Sequence, residues 1–211
     1  MFRLAYRPEV SGARHVPTNG PAIIASNHLS MADSFVLPLV TQRPIAFLAK
    51  AEYFTGHGVK GWASRSFFSG FGAVPVERGN GRAALAALDT AEQILARGEL
   101  FGIYPEGTRS PDGRLHRGRL GVARLALGTG APVIPVGLVG TDRVQPVGAK
   151  VPKIGRVSVR FGAPLNFSRY RGLERNRTVQ RAVVDEIMHA ILDLSRQDYV
   201  DSYGSTVKAA A

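Results

Sequence analysis

A histidine and an aspartate stand close together in the run Ser26-Asn27-His28-Leu29-Ser30-Met31-Ala32-Asp33. A neutral imidazole accepts a proton near neutral pH, and an adjacent carboxylate fixes its tautomer and stabilises the imidazolium that develops. Such a pair suits a reaction in which a hydroxyl must lose its proton to attack a thioester, and it needs no serine or cysteine nucleophile of its own. On one helix, five steps of about 100° would leave the two residues roughly 140° apart. They meet if His28 lies in the turn before a helix and Asp33 in its first turn. Ser30-x-x-Asp33 also reads as a capping box, in which Asp33 merely ties back to the helix start. His15, His57, His116 and His189 have no such neighbour and are expected to be structural or exposed.

Anion-binding chemistry is offered by a second run, Ile103-Tyr104-Pro105-Glu106-Gly107-Thr108-Arg109-Ser110. Gly107 lets backbone approach a ligand, Thr108 and Ser110 carry hydroxyls, and the Arg109 fork matches phosphate. A turn braced by an ion pair of Glu106 with Arg109 explains the same residues. Arg78 ends Gly72-Ala73-Val74-Pro75-Val76-Glu77-Arg78-Gly79 just before a helix, where an anion could sit against the helix N-terminus. Lys50, at the exit of Phe47-Leu48-Ala49, stands in a similar place. Val133-Ile134-Pro135-Val136-Gly137 carries no functional group, so its role is structural.

The elements that must position these residues alternate between short apolar runs and amphipathic segments, the pattern of an α/β domain. Strands are expected at Ala22–Ser26, Ile45–Ala49, Ala73–Val76, Leu100–Tyr104, Val133–Leu138 and Val157–Phe161. Several are apolar throughout, as strands covered on both faces are. Helices are expected at 33–40, 82–97, 119–127 and 177–195, with Gly98 and Gly128 closing the middle two. The expectation is a single domain over 1–203, a mixed, mostly parallel sheet flanked by helices. The chemistry-bearing runs lie within 21–140, a basic part follows at 141–200, and a disordered tail occupies 204–211. Each of the chemistry-bearing turns leaves a strand at a sheet edge, where α/β proteins bind ligands.

The 211-residue chain is 45% apolar and carries a net charge of +11. It contains no cysteine, which removes disulfides and any cysteinyl acyl-enzyme intermediate. Cations concentrate between Arg143 and Arg181, a distribution that attracts anionic headgroups, nucleic acid or acidic small molecules such as coenzyme A. No nucleic-acid motif accompanies the charge. No apolar run reaches the roughly 18 residues of a membrane span, and the opening residues are too short for a signal peptide. The expected location is the cytoplasm.

Taken together and in order, the four runs resemble the motif blocks of the glycerolipid acyltransferase superfamily, most closely the bacterial 1-acyl-glycerol-3-phosphate acyltransferases of the PlsC type. The blocks are His-x4-Asp, an arginine block, Pro-Glu-Gly-Thr-Arg-Ser and an apolar block with proline, here between about Pro21 and Gly140. The resemblance implies that His28 is the general base and Asp33 its orienting partner. Arg78, Glu106, Gly107, Thr108 and Arg109 would form the acceptor site, with Lys50 near the phosphate and Pro135 matching the last block. It also implies an α/β sheet flanked by helices.

The implied reaction moves a fatty acyl group from acyl-CoA or acyl carrier protein to the 2-hydroxyl of 1-acyl-glycerol 3-phosphate, with no metal or other cofactor. Glycerol 3-phosphate or another lysophospholipid is the alternative acceptor. The enzyme would work as a peripheral protein on the inner face of the cell membrane, bound through basic charge. Gly58–Phe71, with Trp62, Phe67, Phe68 and Phe71 among cations, would add apolar contact. A metal-dependent phosphohydrolase built on His28 and Asp33 would need further donors, and the other histidines lack ligand-like spacing. Gly56-His57-Gly58-Val59-Lys60-Gly61 fits a dinucleotide fingerprint by letter but follows no strand. A non-catalytic lipid-binding module would explain the charge and leave the His–Asp pair idle.

Overall fold

The computed structural model describes residues 8–50, 73–76, 81–146, 148–149, 151 and 153–210. The main sheet draws on β1 (Glu9–Ser11), β2 (Ala22–Ser26), β3 (Ile45–Lys50), β4 (Ala73–Val76), β5 (Leu100–Ile103), β7 (Val133–Val139) and β8 (Ser158–Phe161). A small parallel pair, β6 (Leu115–His116) with β9 (Tyr199–Val200), stands apart. Helices are α1 (Asp33–Val40), α2 (Gly81–Ala96), α3 (Gly121–Thr129), α4 (Thr141–Val144), α5 (Arg177–Ser195) and α6 (Gly204–Ala210).

The strand order is β1-β8-β7-β2-β5-β3-β4. From β7 to β4 every neighbouring pair is parallel, whereas β8 runs antiparallel to β7 and β1 parallels β8. The expected mixed, mostly parallel sheet is therefore the architecture observed. Side chains leave a strand on alternate faces, so β2 feeds two cores. Ile23 and Ala25 join the layer under α2, α3 and α5, while Ala22 and Ile24 join the one under α1 and α4. This two-sided burial explains why β2 is apolar throughout rather than alternating.

Helix α5 anchors the first layer with Val183, Val184, Ile187 and Ile191, all buried; each contributes about 1.5–3 kcal/mol relative to exposure. Asn176 caps its start by accepting from Thr178 N and Val179 N. Gly137 of β7 lets the end of α5 come close: a Cβ there would lie 2.5 Å from the Leu194 carbonyl carbon. A backbone atom cannot swing aside, so only glycine fits.

Expected strand and helix bounds hold to within two residues. The two-residue strands β6 and β9 and the three-residue β1 are too short to show a period. The tail is a correction. Residues 204–210 form α6 rather than a disordered end, held by Arg119 Nη2 donating to Ser205 Oγ (2.9 Å). Just before it, the Arg117 and Arg119 guanidinia lie over the Tyr203 ring at 5.7 and 5.2 Å.

Candidate active site

The centre of the sheet fixes the frame. Strand β2 lies between β7 and β5, so its exit is hemmed in on both sides. Asn27, fully buried, locks that exit: its amide donates to Leu138 O (2.9 Å) and Gln197 Oε1 (2.7 Å), and its Oδ1 accepts from Leu138 N (2.8 Å). His28 follows in the turn, and Asp33 opens α1.

Asp33 is fully buried, and one of its oxygens does two jobs. Oδ2 accepts from Leu29 N (2.7 Å), Ser30 N (2.8 Å) and His28 Nδ1 (2.9 Å). The capping arrangement and the His–Asp pair are thus the same structure rather than competing ones. Since Oδ2 already receives two N–H groups, Nδ1 is the third donor and carries the proton of the neutral ring. That leaves the lone pair on Nε2, the arrangement of a general base. The carboxylate also lies at the N-terminus of α1, where negative charge is favoured. Oδ1 of Asp33 has no hydrogen-bond partner among the described residues.

The imidazole is held flat. Tyr104 stacks on it with ring centroids 3.8 Å apart and planes 9° apart, and Phe47 backs Tyr104 at 5.6 Å. The Tyr104 hydroxyl shares a 2.9 Å hydrogen bond with Ser34 Oγ on α1. Burial first, and the Asp33 charge second, push this phenol well above its usual range, so it stays protonated. The His28 side chain keeps 17% exposure.

The loop leaving β5 supplies the backbone brace. Register places Ile103 beside Ala25, so Tyr104–Ser110 runs alongside the His28 turn. Ser110 N donates to His28 O (2.7 Å), and Glu106 Oε1 accepts from His28 N (3.1 Å). The other oxygen, Oε2, accepts from His116 N at 3.0 Å. Glu106 is 1% exposed. Burial pushes its carboxyl up to about 7, against the pull of the two backbone N–H bonds. The ion pair of Glu106 with Arg109 is therefore overturned: the carboxylate spans two backbones, and whatever it does for an acceptor it does through the loop.

The remaining candidates fall in three groups. Gly107 adopts φ 72°, with its N–H donating to Tyr104 O (2.9 Å), a conformation that favours glycine. Thr108 and Arg109 are part-buried, and their side chains form no hydrogen bond or ion pair with described residues. Lys50 closes β3 in register with Val76 of β4, at the edge that also carries His28, though its side chain lies outside the described residues. Arg78, the Gly56–Gly61 run and the aromatic segment Gly58–Phe71 also lie outside them.

Two features escaped the sequence reading. Tyr104 carries no anion-binding group within its run, yet a tyrosine at the end of the strand next to β2 is well placed to meet a ring in the β2 turn. His116 is a correction. It does have an acidic neighbour, with Nε2 2.9 Å from Asp112 Oδ1 and Nδ1 3.3 Å from Ser202 O. Burial opposes ionisation of Asp112, but hydrogen bonds from Arg114 and His116 outweigh it and hold the carboxyl well below the usual range. His116 is itself fully buried, so this second pair ties β6 to the segment after β9 rather than facing a substrate. His15 and His189 contact only backbone oxygens, of Phe161 and Asp185.

Residues 7–139, which carry all of this machinery except the basic half, match the family described as Acyltransferase. The chain belongs to that family. Among its acyltransferase relatives is the chloroplastic 1-acyl-sn-glycerol-3-phosphate acyltransferase BAT2 of Brassica napus, 33% identical over 146 residues, or 69% of this chain and 41% of that protein. The chloroplastic 1-acyl-sn-glycerol-3-phosphate acyltransferase LPAT1 of Arabidopsis thaliana is 32% identical over 166 residues, covering 78% of this chain and 45% of that protein. The chain thus spans less than half the length of these curated relatives. The crystal structure of the 1-acyl-sn-glycerophosphate (LPA) acyltransferase PlsC from Thermotoga maritima superposes with a TM-score of 0.66 at 28% identity, covering 96% of this chain and 72% of that one.

Proposed function

We propose that the protein is an O-acyltransferase that moves a fatty acyl group from acyl-CoA or acyl carrier protein to the 2-hydroxyl of 1-acyl-glycerol 3-phosphate, giving phosphatidic acid for phospholipid synthesis. The observation that carries this reading is the 2.9 Å bond of His28 Nδ1 to Asp33 Oδ2, which leaves the lone pair of the neutral ring on Nε2. The acceptor hydroxyl gives its proton to Nε2 as its oxygen attacks the thioester carbonyl. The buried Asp33 carboxylate stabilises the imidazolium that results. Collapse of the tetrahedral intermediate breaks the C–S bond, and Nε2 returns the proton to the departing thiolate. One C–O bond forms, one C–S bond breaks, and neither a metal nor another cofactor enters the balance.

Arg109 and Thr108 supply a guanidinium and a hydroxyl for the acceptor phosphate, joined by Arg78 and Lys50. The names of the relatives support a lysophosphatidic acid acceptor, and the basic surface supports work at the inner face of a cell membrane. Among the described residues no helix is long and apolar enough to cross one. The test is an acceptor screen by mass spectrometry with one acyl-CoA and lysophosphatidic acid, glycerol 3-phosphate and neutral lysophospholipids in parallel. Lysophosphatidic acid should be preferred, and His28→Ala should abolish turnover in a folded protein. A folded His28→Ala protein of normal activity would sink the mechanism.

A further inference from the structure

Large aliphatic side chains are almost wholly exposed at one place in the described chain, the connection from α4 to β8. Val151 is 75% and Ile154 85% exposed, and no other described large hydrophobic exceeds 53%. Ser26 pairs with Val136, and Val139 pairs with Ser158. The connection therefore hangs over the sheet edge at which His28 emerges. Its root is fastened: Ser30 Oγ donates to Gln145 O, Lys153 N donates to Val144 O (both 2.7 Å), and Val144 and Val157 are buried. Its tip presents Val151 and Ile154 to solvent beside charge of one sign. Arg143, Lys153 and Arg156 have no ion-pair partner among the described residues, Lys150 lies in the same stretch of sequence, and Asp142 is the only acid from Gly140 to Val157. Elsewhere in the basic half Arg160 donates to Leu194 O, Arg169 pairs with Glu186 and Arg181 pairs with Asp185, while Arg175 and Arg177 are exposed without an ion-pair partner among the described residues but flank no large aliphatic exposed as fully as Val151 and Ile154.

We infer that this loop docks the protein on an anionic lipid bilayer, seating Val151 and Ile154 at the boundary between headgroups and acyl chains, with Arg143, Lys153 and Arg156 among the headgroups. Exposed aliphatics ringed by cations match a surface that is anionic outside and apolar just beneath. Two protruding points suit a fluid bilayer, which needs no complementary pocket. Docking here holds the His28 edge against the membrane, a consequence that matters for catalysis only on the lysolipid reading proposed above.

The test is co-sedimentation of the full chain with vesicles of phosphatidylcholine alone or mixed in equal parts with phosphatidylglycerol, at low and high salt. The wild-type protein should bind the mixed vesicles and weaken with salt. Val151→Asp with Ile154→Asp should weaken that binding about ten-fold or more at an unchanged melting temperature, while Leu85→Asp, exposed on α2, should leave it intact. Wild-type binding by the double variant overturns the inference. So does a double variant that still binds vesicles but loses only turnover with acyl carrier protein, which would make the loop a dock for an acidic carrier. Vesicle binding that needs Val151 and Ile154, in a protein that acylates no acceptor, would sink the proposed function and leave the docking surface standing.

Discussion

Glu106→Gln replaces a buried carboxylate by an amide of the same shape. The carboxyl titrates at about 7 in the folded protein against 4.5 when free. The folded state holds the proton to higher pH than the unfolded chain, so the contribution of Glu106 to stability is complete below 4.5 and is lost as pH rises through 7. At about 1.4 kcal/mol per pH unit over this shift, the loss approaches about 3.5 kcal/mol by pH 8. Glutamine carries no charge at any pH. Its amide oxygen keeps one of the bonds from His28 N and His116 N, and its NH2 faces the other donor, at a constant cost of about 1–3 kcal/mol. The variant should therefore be the less stable protein at low pH, and the gap should close or reverse near pH 8. Asp112 does not blur the comparison. Its carboxyl is held below the free value of 3.8, so its contribution is already complete throughout this window. Urea unfolding followed by circular dichroism at stepped pH measures the difference between the two proteins. A gap that stays constant with pH refutes the reasoning, for it would mean that the two N–H donors offset burial and keep Glu106 ionised throughout.

Asp33→Asn separates the two jobs of Oδ2. The amide oxygen can keep the Leu29 and Ser30 bonds, but its NH2 enters the buried space of Oδ1, and the imidazolium loses its charged partner. Turnover per folded molecule should fall roughly 10- to 150-fold, from a charge-assisted bond of about 1.5–3 kcal/mol; an unchanged value in stopped assays would leave Asp33 a helix cap only. Arg109→Ala should raise KM for phosphate-bearing acceptors more than for neutral ones, again through about 1.5–3 kcal/mol. Equal losses on both kinds of acceptor would make Arg109 a brace of its loop.

Local order was legible where one short stretch contains both cause and effect. A strand end, a helix start and four residues between His28 and Asp33 left one way for them to meet, and the structure takes it. The helix expected at 177–195 matches α5 residue for residue. What stayed hidden depends on partners far away in sequence. The burial of Glu106 is created by β6 and the His28 turn, so its nearest charged neighbour in sequence, Arg109, was the wrong partner to consider. His116 meets Asp112 across a bend and Ser202 across 86 residues. Helix α6 forms because Arg119 and the Tyr203 stack hold it, and residues 204–210 carry no period that would reveal this. The chemistry of the motif runs came from residue types, whereas the roles of Lys50 and Arg78 rest on their place at strand exits and on the family resemblance, their side chains lying outside the described residues.

The site is rigid in one direction and open in another, and the division follows from which atoms face neighbours. The backbone of His28 is held at both ends, its N–H by Glu106 and its carbonyl by Ser110 N. Its ring is held on one face by Tyr104 and at Nδ1 by Asp33. Every one of these partners comes from β5 and its loop or from α1, the two elements that flank the exit of β2. Nε2 alone among the polar atoms of His28 has no hydrogen-bond partner among the described residues, and it is the atom that general-base chemistry requires to be free. His116, by contrast, has both ring nitrogens against protein oxygens, Nε2 at Asp112 Oδ1 and Nδ1 at Ser202 O. His116 on β6 is fully buried with both ring nitrogens occupied, whereas part-buried His28 at the edge of the sheet keeps Nε2 without a partner among the described residues.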